Sequence, residues 1–175
     1  MARYRPVYVQ IWEDDEQFLD YSDTQKVLFF YLITNKNCSE SGIYKMSIKN
    51  VSHTLNWLPE LLLNTVAKLE PNVYYDPDTH IVFVKNFLQY NGLKHGNPEK
   101  IAKSIAKDCQ EFHTKLWRLF KRTYPNFMKT LQKFGETIYD YDSNNNFKNE
   151  DSYTEKEVMT EEDAENFTKT LPWNK

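Results

Sequence analysis

A chain of 175 residues with 40% hydrophobic content can build one core, or one core plus an appendage, and its net charge is −3. Only 4 glycines occur, which speaks against Gly-rich phosphate loops and tight-turn β architectures. No stretch nears the ~18 consecutive apolar residues of a membrane helix, and no apolar run follows Met1 to Arg5 to form a signal peptide, so a membrane role is not expected.

In chain order, Val7-Tyr8-Val9-Gln10-Ile11-Trp12 is β-branched and aromatic, and reads as a short strand or extended lead-in. Glu13-Asp14-Asp15-Glu16 suits the start of a short helix, where acid complements the helix dipole, with Phe18 and Leu19 as its buried residues. Ser22 or Asp23 is a good N-cap for the next helix. Val27, Leu28, Tyr31 and Leu32 give that helix one apolar face. Gly42 leads into a short strand, Ile43-Tyr44-Lys45-Met46. Ser47 caps a helix over 48–56, with Ile48, Val51 and Leu55 inward. Pro59 opens a helix over 59–70 with the stripe Leu62, Val66 and Leu69, stopped by Pro71-Asn72. Val73-Tyr74-Tyr75 and Ile81-Val82-Phe83-Val84, joined by Asp76-Pro77-Asp78-Thr79-His80, form a β-hairpin.

Helix, short strand, two helices across a tight turn and a hairpin is the order of a winged helix, with 59–70 in the recognition-helix position. The expected fold is mainly α with a small hairpin: a winged helix-turn-helix over 1–92 and a helical extension over 93–138. In the extension, Pro98 opens a helix to about Glu111, and two shorter helices, 114–123 and 125–134, divide near Tyr124-Pro125. Residues 139–175 are poor in apolar side chains and acidic, as in a flexible tail.

Charge is unevenly spread. Residues 1–80 carry 7 Lys+Arg against 11 Asp+Glu, residues 81–135 carry 11 against 3, and residues 136–175 carry 4 against 11. A basic middle between two acidic ends suggests a polyanion partner for the middle.

Three motifs carry a family likeness: Gly42-Ile43-Tyr44, Leu55-Asn56-Trp57 and Val84-Lys85-Asn86-Phe87-Leu88-Gln89-Tyr90-Asn91. With Lys115-Leu116-Trp117-Arg118-Leu119-Phe120 and Tyr124-Pro125, the chain resembles phage replisome organizers, replication-initiation proteins similar in fold to the N-terminal domain of DnaD. The likeness covers roughly residues 5–125. It implies binding of duplex or single-stranded DNA at a replication origin and contact with a helicase or helicase loader. It also implies self-association, in which Val7 to Trp12 is a candidate segment. A second, C-terminal domain found in many such proteins has no counterpart beyond the short acidic stretch.

Two groups of residues are candidates for DNA contact. Lys45, Lys49, Asn50, Asn64, Thr65 and Lys68 lie on or near the recognition helix, where amides and ammonium groups reach base edges and phosphates. That helix has no Arg and is flanked by Glu60 and Glu70. Lys85, Lys94, Lys100, Lys103, Lys107, Arg118, Lys121 and Arg122 form the basic extension. Lys100, Lys103 and Lys107 recur at helical spacing, which makes one face positive and suits non-specific, salt-sensitive binding.

No P-loop, HExxH, GxSxG or zinc-type spacing occurs, so no catalytic residue, metal or cofactor is expected and the chain does not read as an enzyme. Cys38 and Cys109 share no metal or redox spacing and read as free thiols in the cytoplasm. Two alternatives stay open: a winged helix serving as a protein-interaction, inhibitor or oligomerisation module, and a sequence-specific transcription regulator.

Overall fold

A strand with one wet face alternates apolar and polar residues. Ile81-Val82-Phe83-Val84 is apolar at every position, so both of its faces need cover. The computed structural model, which describes residue 5, residues 7–91 and residues 96–139, supplies that cover from two helical layers. Among these residues the molecule is mainly helical, with one three-stranded antiparallel sheet. Lys94 and residues 140–175 of the expected tail lie outside the described residues.

The helices begin where side chains satisfy their first backbone N–H groups. Asp15 accepts from Phe18 N at 3.0 Å to start α1 (Glu16–Leu19). Ser22 and Gln25 form a reciprocal capping box at α2 (Asp23–Thr34). Ser47 caps α3 (Ile48–Leu55), as expected. Asn56, in the left-handed region at φ 56°, turns the chain toward α4 (Pro59–Ala67), where Pro59 occupies the first turn. The 59–70 helix therefore ends three residues early, although Leu69 stays buried.

The strands are β1 (Ile43–Lys45), β2 (Val73–Asp76) and β3 (Ile81–Val84), in the order β1-β3-β2. Ile43 pairs with Phe83, and Val73 pairs with Val84. Gly42 enters β1 at φ 76°. A Cβ there would lie 2.7 Å from the Val84 carbonyl oxygen and 2.8 Å from Phe87 Cβ, so only glycine fits between the strand and the helix that follows.

Alternation divides β3 between two cores. Val82 and Val84, with Tyr44, Val73 and Tyr75, face Leu28, Leu32, Leu62 and Val66 of α2 and α4. Ile81 and Phe83, with Ile43, face the second layer. That layer is α6 (Pro98–Glu111), α7 (Leu116–Thr123) and α8 (Pro125–Lys133), reached through the short α5 (Phe87–Asn91). Its core includes Ile105, Trp117, Phe120 and Leu131. The boundary near Tyr124-Pro125 falls where expected.

The lead-in differs from the expected strand. Val9–Trp12 forms a single 3-10 turn, with Ile11 N donating to Tyr8 O at 3.1 Å. Strand propensity measures fit to a sheet surface. Here Val9 stays exposed, while Ile11 packs on the first core and Trp12 meets Phe18 edge-on at 5.1 Å and lies 5.4 Å from Phe30. Phe18 is buried, but Leu19 and Val27, both expected inside, are more than 40% exposed.

Candidate nucleic-acid interface

The cationic side chains come from four stretches of chain, and the fold brings only some of them together. Lys45 ends β1, where its side chain is exposed while Tyr44 and Met46 on either side turn inward. Lys36 follows the last turn of α2. Lys107 lies on the outer face of α6, opposite the buried Ile105, Ala106 and Cys109. These three lysines line one open groove of about 820 Å³ between the 36–40 loop, β1 and the C-terminal half of α6. The sequence placed Lys45 with the recognition helix and Lys107 with the extension. Folding puts them on one surface.

Of the three acids in the groove wall, Glu40 and Asp108 are engaged and Glu111 is exposed. Arg5 pairs with Glu40 at 3.1 Å and donates to the Cys38 carbonyl at 2.7 Å. Asp108 Oδ2 accepts from the buried Ser41 hydroxyl at 3.0 Å. Burial holds the Asp108 carboxyl above the usual carboxylate range, against the opposing pull of hydrogen bonds from Ser41 and Ser39. Ser39 in turn bonds Ser41 at 2.8 Å and the Ile43 carbonyl at 2.7 Å, so the Ser39-Ser41-Asp108 chain ties β1 to α6. The Cys38 thiol beneath the loop is pushed up to about 12 by burial. Both cysteines are free and buried, and the thiol form is unreactive.

The remaining candidates are dispersed. Lys49 and Asn50 are exposed on the first turn of α3. Lys68 caps the end of α4, where its carbonyl accepts from Gln25 Nε2 at 2.8 Å. Gln25 is in the first turn of α2 and Lys36 lies just past its last, so Lys68 and Lys36 sit at opposite ends of a helix about 18 Å long. Lys100 and Lys103 are exposed on the face of α6 that carries Lys107, and Lys103 pairs with Glu99 at 2.7 Å. Lys85, Arg118 and Lys121 are half-buried and Arg122 is exposed; none of these lines the groove.

Two α4 residues expected to contact DNA depart from that expectation. Thr65 is 4% exposed and not available to a ligand: its hydroxyl donates to the Leu61 carbonyl at 2.6 Å. A threonine that satisfies itself on the preceding turn can be buried without a further partner. Asn64 is half-buried, with its Oδ1 buried and unpartnered among the described residues. The exposed side of this region is instead apolar, with Leu58 at 73% and Leu61 at 42%.

Sequence reasoning missed Lys36 and the Ser39-Ser41-Asp108 ties. Lys36 sits in the polar stretch read only as the end of a helix. Asp76, read as turn chemistry, is buried and accepts from Thr79 and from Thr114, each at 2.7 Å. The Thr114 contact pins the hairpin to the second layer. Among the described residues no group of three or more His, Cys, Asp or Glu is placed to hold a metal. Among the described residues no helix is long and apolar enough to cross a membrane. Comparison with known protein families, with curated proteins and with solved structures gives no match to this chain.

Proposed function

We propose that this protein is a DNA-binding winged-helix protein of the replication-initiation kind, without catalytic activity, acting in the cytoplasm with a helicase or helicase loader. The fold reading rests on topology. A strand before the two turn-linked helices pairs with the second hairpin strand, as a winged helix requires. The replication role rests on the resemblance carried by Gly42-Ile43-Tyr44, Leu55-Asn56-Trp57 and the stretch after the hairpin. The observation that carries DNA binding is the convergence of Lys36, Lys45 and Lys107 on one groove, continued along α6 by Lys103 and Lys100. The binding is mainly to phosphate, because α4 offers no Arg and exposes leucines. Ammonium groups on an open surface neutralise phosphates and release counterions.

An anisotropy titration of single- and double-stranded oligonucleotides at two salt concentrations tests this. Binding should weaken steeply with salt. Lys45→Glu with Lys107→Glu should weaken it across all sequences, and each lysine lost should lower the salt slope by about 1. No binding of either strand form at low salt would overturn the reading.

A second reading has its own support. Leu58 and Leu61 on the recognition-helix face, and Trp12 at 53% exposure, suit protein contact better than a base edge. Under that reading the chain is an oligomerisation or adaptor module. Light scattering of the native chain and of Leu58→Glu discriminates: an oligomer that Leu58→Glu dissociates favours it, and a monomer that binds DNA removes it.

A further inference from the structure

The described chain leaves the fold against α6. Ile138 is buried in the second core, and the Tyr139 carbonyl faces the Cys109 thiol at 3.9 Å. Three residues earlier, Glu136 lies close enough to Lys103 to favour its charged form. The exit thus runs beside the helix that carries Lys100, Lys103 and Lys107. Residues 140–175 carry 10 Asp+Glu against 4 Lys, and the first two acids, Asp140 and Asp142, follow the exit directly.

From the charge complementarity and the exit point, we propose that the acidic segment 140–175 docks on the Lys100-Lys103-Lys107 face of its own chain and competes there with nucleic acid. Reach is sufficient. A flexible stretch of twenty residues has an end-to-end distance of about 25 Å, and α6 is about 21 Å long. Tethering sets an effective concentration of about 1 mM. A polyanion that binds with a dissociation constant of about 10⁻⁴ M is then bound most of the time and lowers the apparent affinity for a competitor about tenfold. The contact is electrostatic, so salt weakens it together with DNA binding. Docking stands on the exit geometry and the charge complementarity, whereas competition rests on the DNA-binding reading above.

The test uses the full chain and a full-length variant in which the ten Asp and Glu of 140–175 become Asn and Gln. All of these lie outside the described residues. Carbodiimide cross-linking without nucleic acid, read by mass spectrometry, should join the acidic segment preferentially to Lys100, Lys103 and Lys107. It should lose those products when the three lysines are replaced by Arg, which keeps the charge but does not cross-link. Products spread evenly over the exposed lysines, or no products from the segment, would overturn docking. In parallel, anisotropy with a labelled single-stranded DNA oligonucleotide of mixed sequence should show the neutralised variant binding about tenfold tighter at low salt, the gap closing as salt rises. Equal affinities would overturn competition while leaving DNA binding intact. If neither chain binds, the DNA reading falls and competition with it, and the cross-links alone decide docking.

Discussion

Two helical layers share β3, and they are assembled by different means. The α2–α4 layer is organised by local signals: the Ser22 capping box, the Ser47 cap, Asn56 in the left-handed region and Pro59 at a first turn. The α6–α8 layer is docked by contacts between distant residues. Thr114 bonds Asp76 at 2.7 Å, Ser41 bonds Asp108 at 3.0 Å, and Phe83 packs 6.0 Å from Phe120. Their surfaces differ as well. The first layer exposes apolar side chains such as Leu58 and Leu61 beside Lys36, Lys49 and Lys68, and α6 of the second exposes Lys100, Lys103 and Lys107 along one face. The hairpin between them is covered on both faces. The hairpin is therefore the middle of a sandwich, and the groove cations come from the 36–40 loop and β1 as well as from α6.

The comparison breaks most directly at β3. Phe83 is fully buried toward the second layer and Leu62 toward the first. Phe83→Ala should cost about 3–5 kcal/mol and Leu62→Ala about 2–5 kcal/mol. Because the layers share a strand, both substitutions should lower the midpoint of one cooperative transition. Urea unfolding followed by circular dichroism and by tryptophan fluorescence checks this. Separate midpoints for the two probes would mean that the layers fold independently.

A smaller effect separates the docking contacts from the rest of the second layer. Thr114→Val keeps the shape but removes the donor to the buried Asp76 carboxylate, which retains Thr79 and the Asp78 N–H. The expected loss is about 1–3 kcal/mol. Circular dichroism should show native helix content below the transition. Stability unchanged from the wild type would mean that the Thr114–Asp76 bond does not help to hold the layer.

The smallest effect depends on pH. Burial raises the Asp108 carboxyl in the folded protein above its unfolded value. The folded state therefore holds this proton more tightly, and the associated stability is present at low pH and lost as pH rises through the folded value. Asp108→Asn retains an acceptor for Ser41 and removes the charge. Its melting temperature relative to wild type should be higher at pH 7 than at pH 4. An equal difference at both would show that the carboxylate is not penalised by its site.

Much of the first layer was legible because its determinants are short-range. Caps, Pro59 and the stripe Leu62, Val66, Leu69 act within a few residues, and each falls where periodicity placed it. Errors arose where a side chain had a choice of partner. Val7 to Trp12 has strand composition, but the aromatic residues of α1 and α2 offered Trp12 a better contact than a sheet edge. Thr65 looks polar in a helical projection, yet its hydroxyl finds the Leu61 carbonyl and frees the side chain for burial. The unbroken apolar run of β3 held the sign of a second covering layer, but not which residues would supply it.

The amino-acid order alone settled where α2, α3, α4, α6 and α8 start, which residues form the hairpin and that the cations gather in residues 81–135, since capping, turn chemistry and charge are local properties. Which lysines work together was decided by tertiary structure. Lys36, Lys45 and Lys107 are far apart along the chain and meet only because β1 pairs with β3 while Ser41 and Asp108 draw α6 against it. Lys68, assigned with Lys45 by sequence, ends at the far end of α2 for the same reason: a helix is a rigid spacer, and packing chooses which of its ends a neighbour meets.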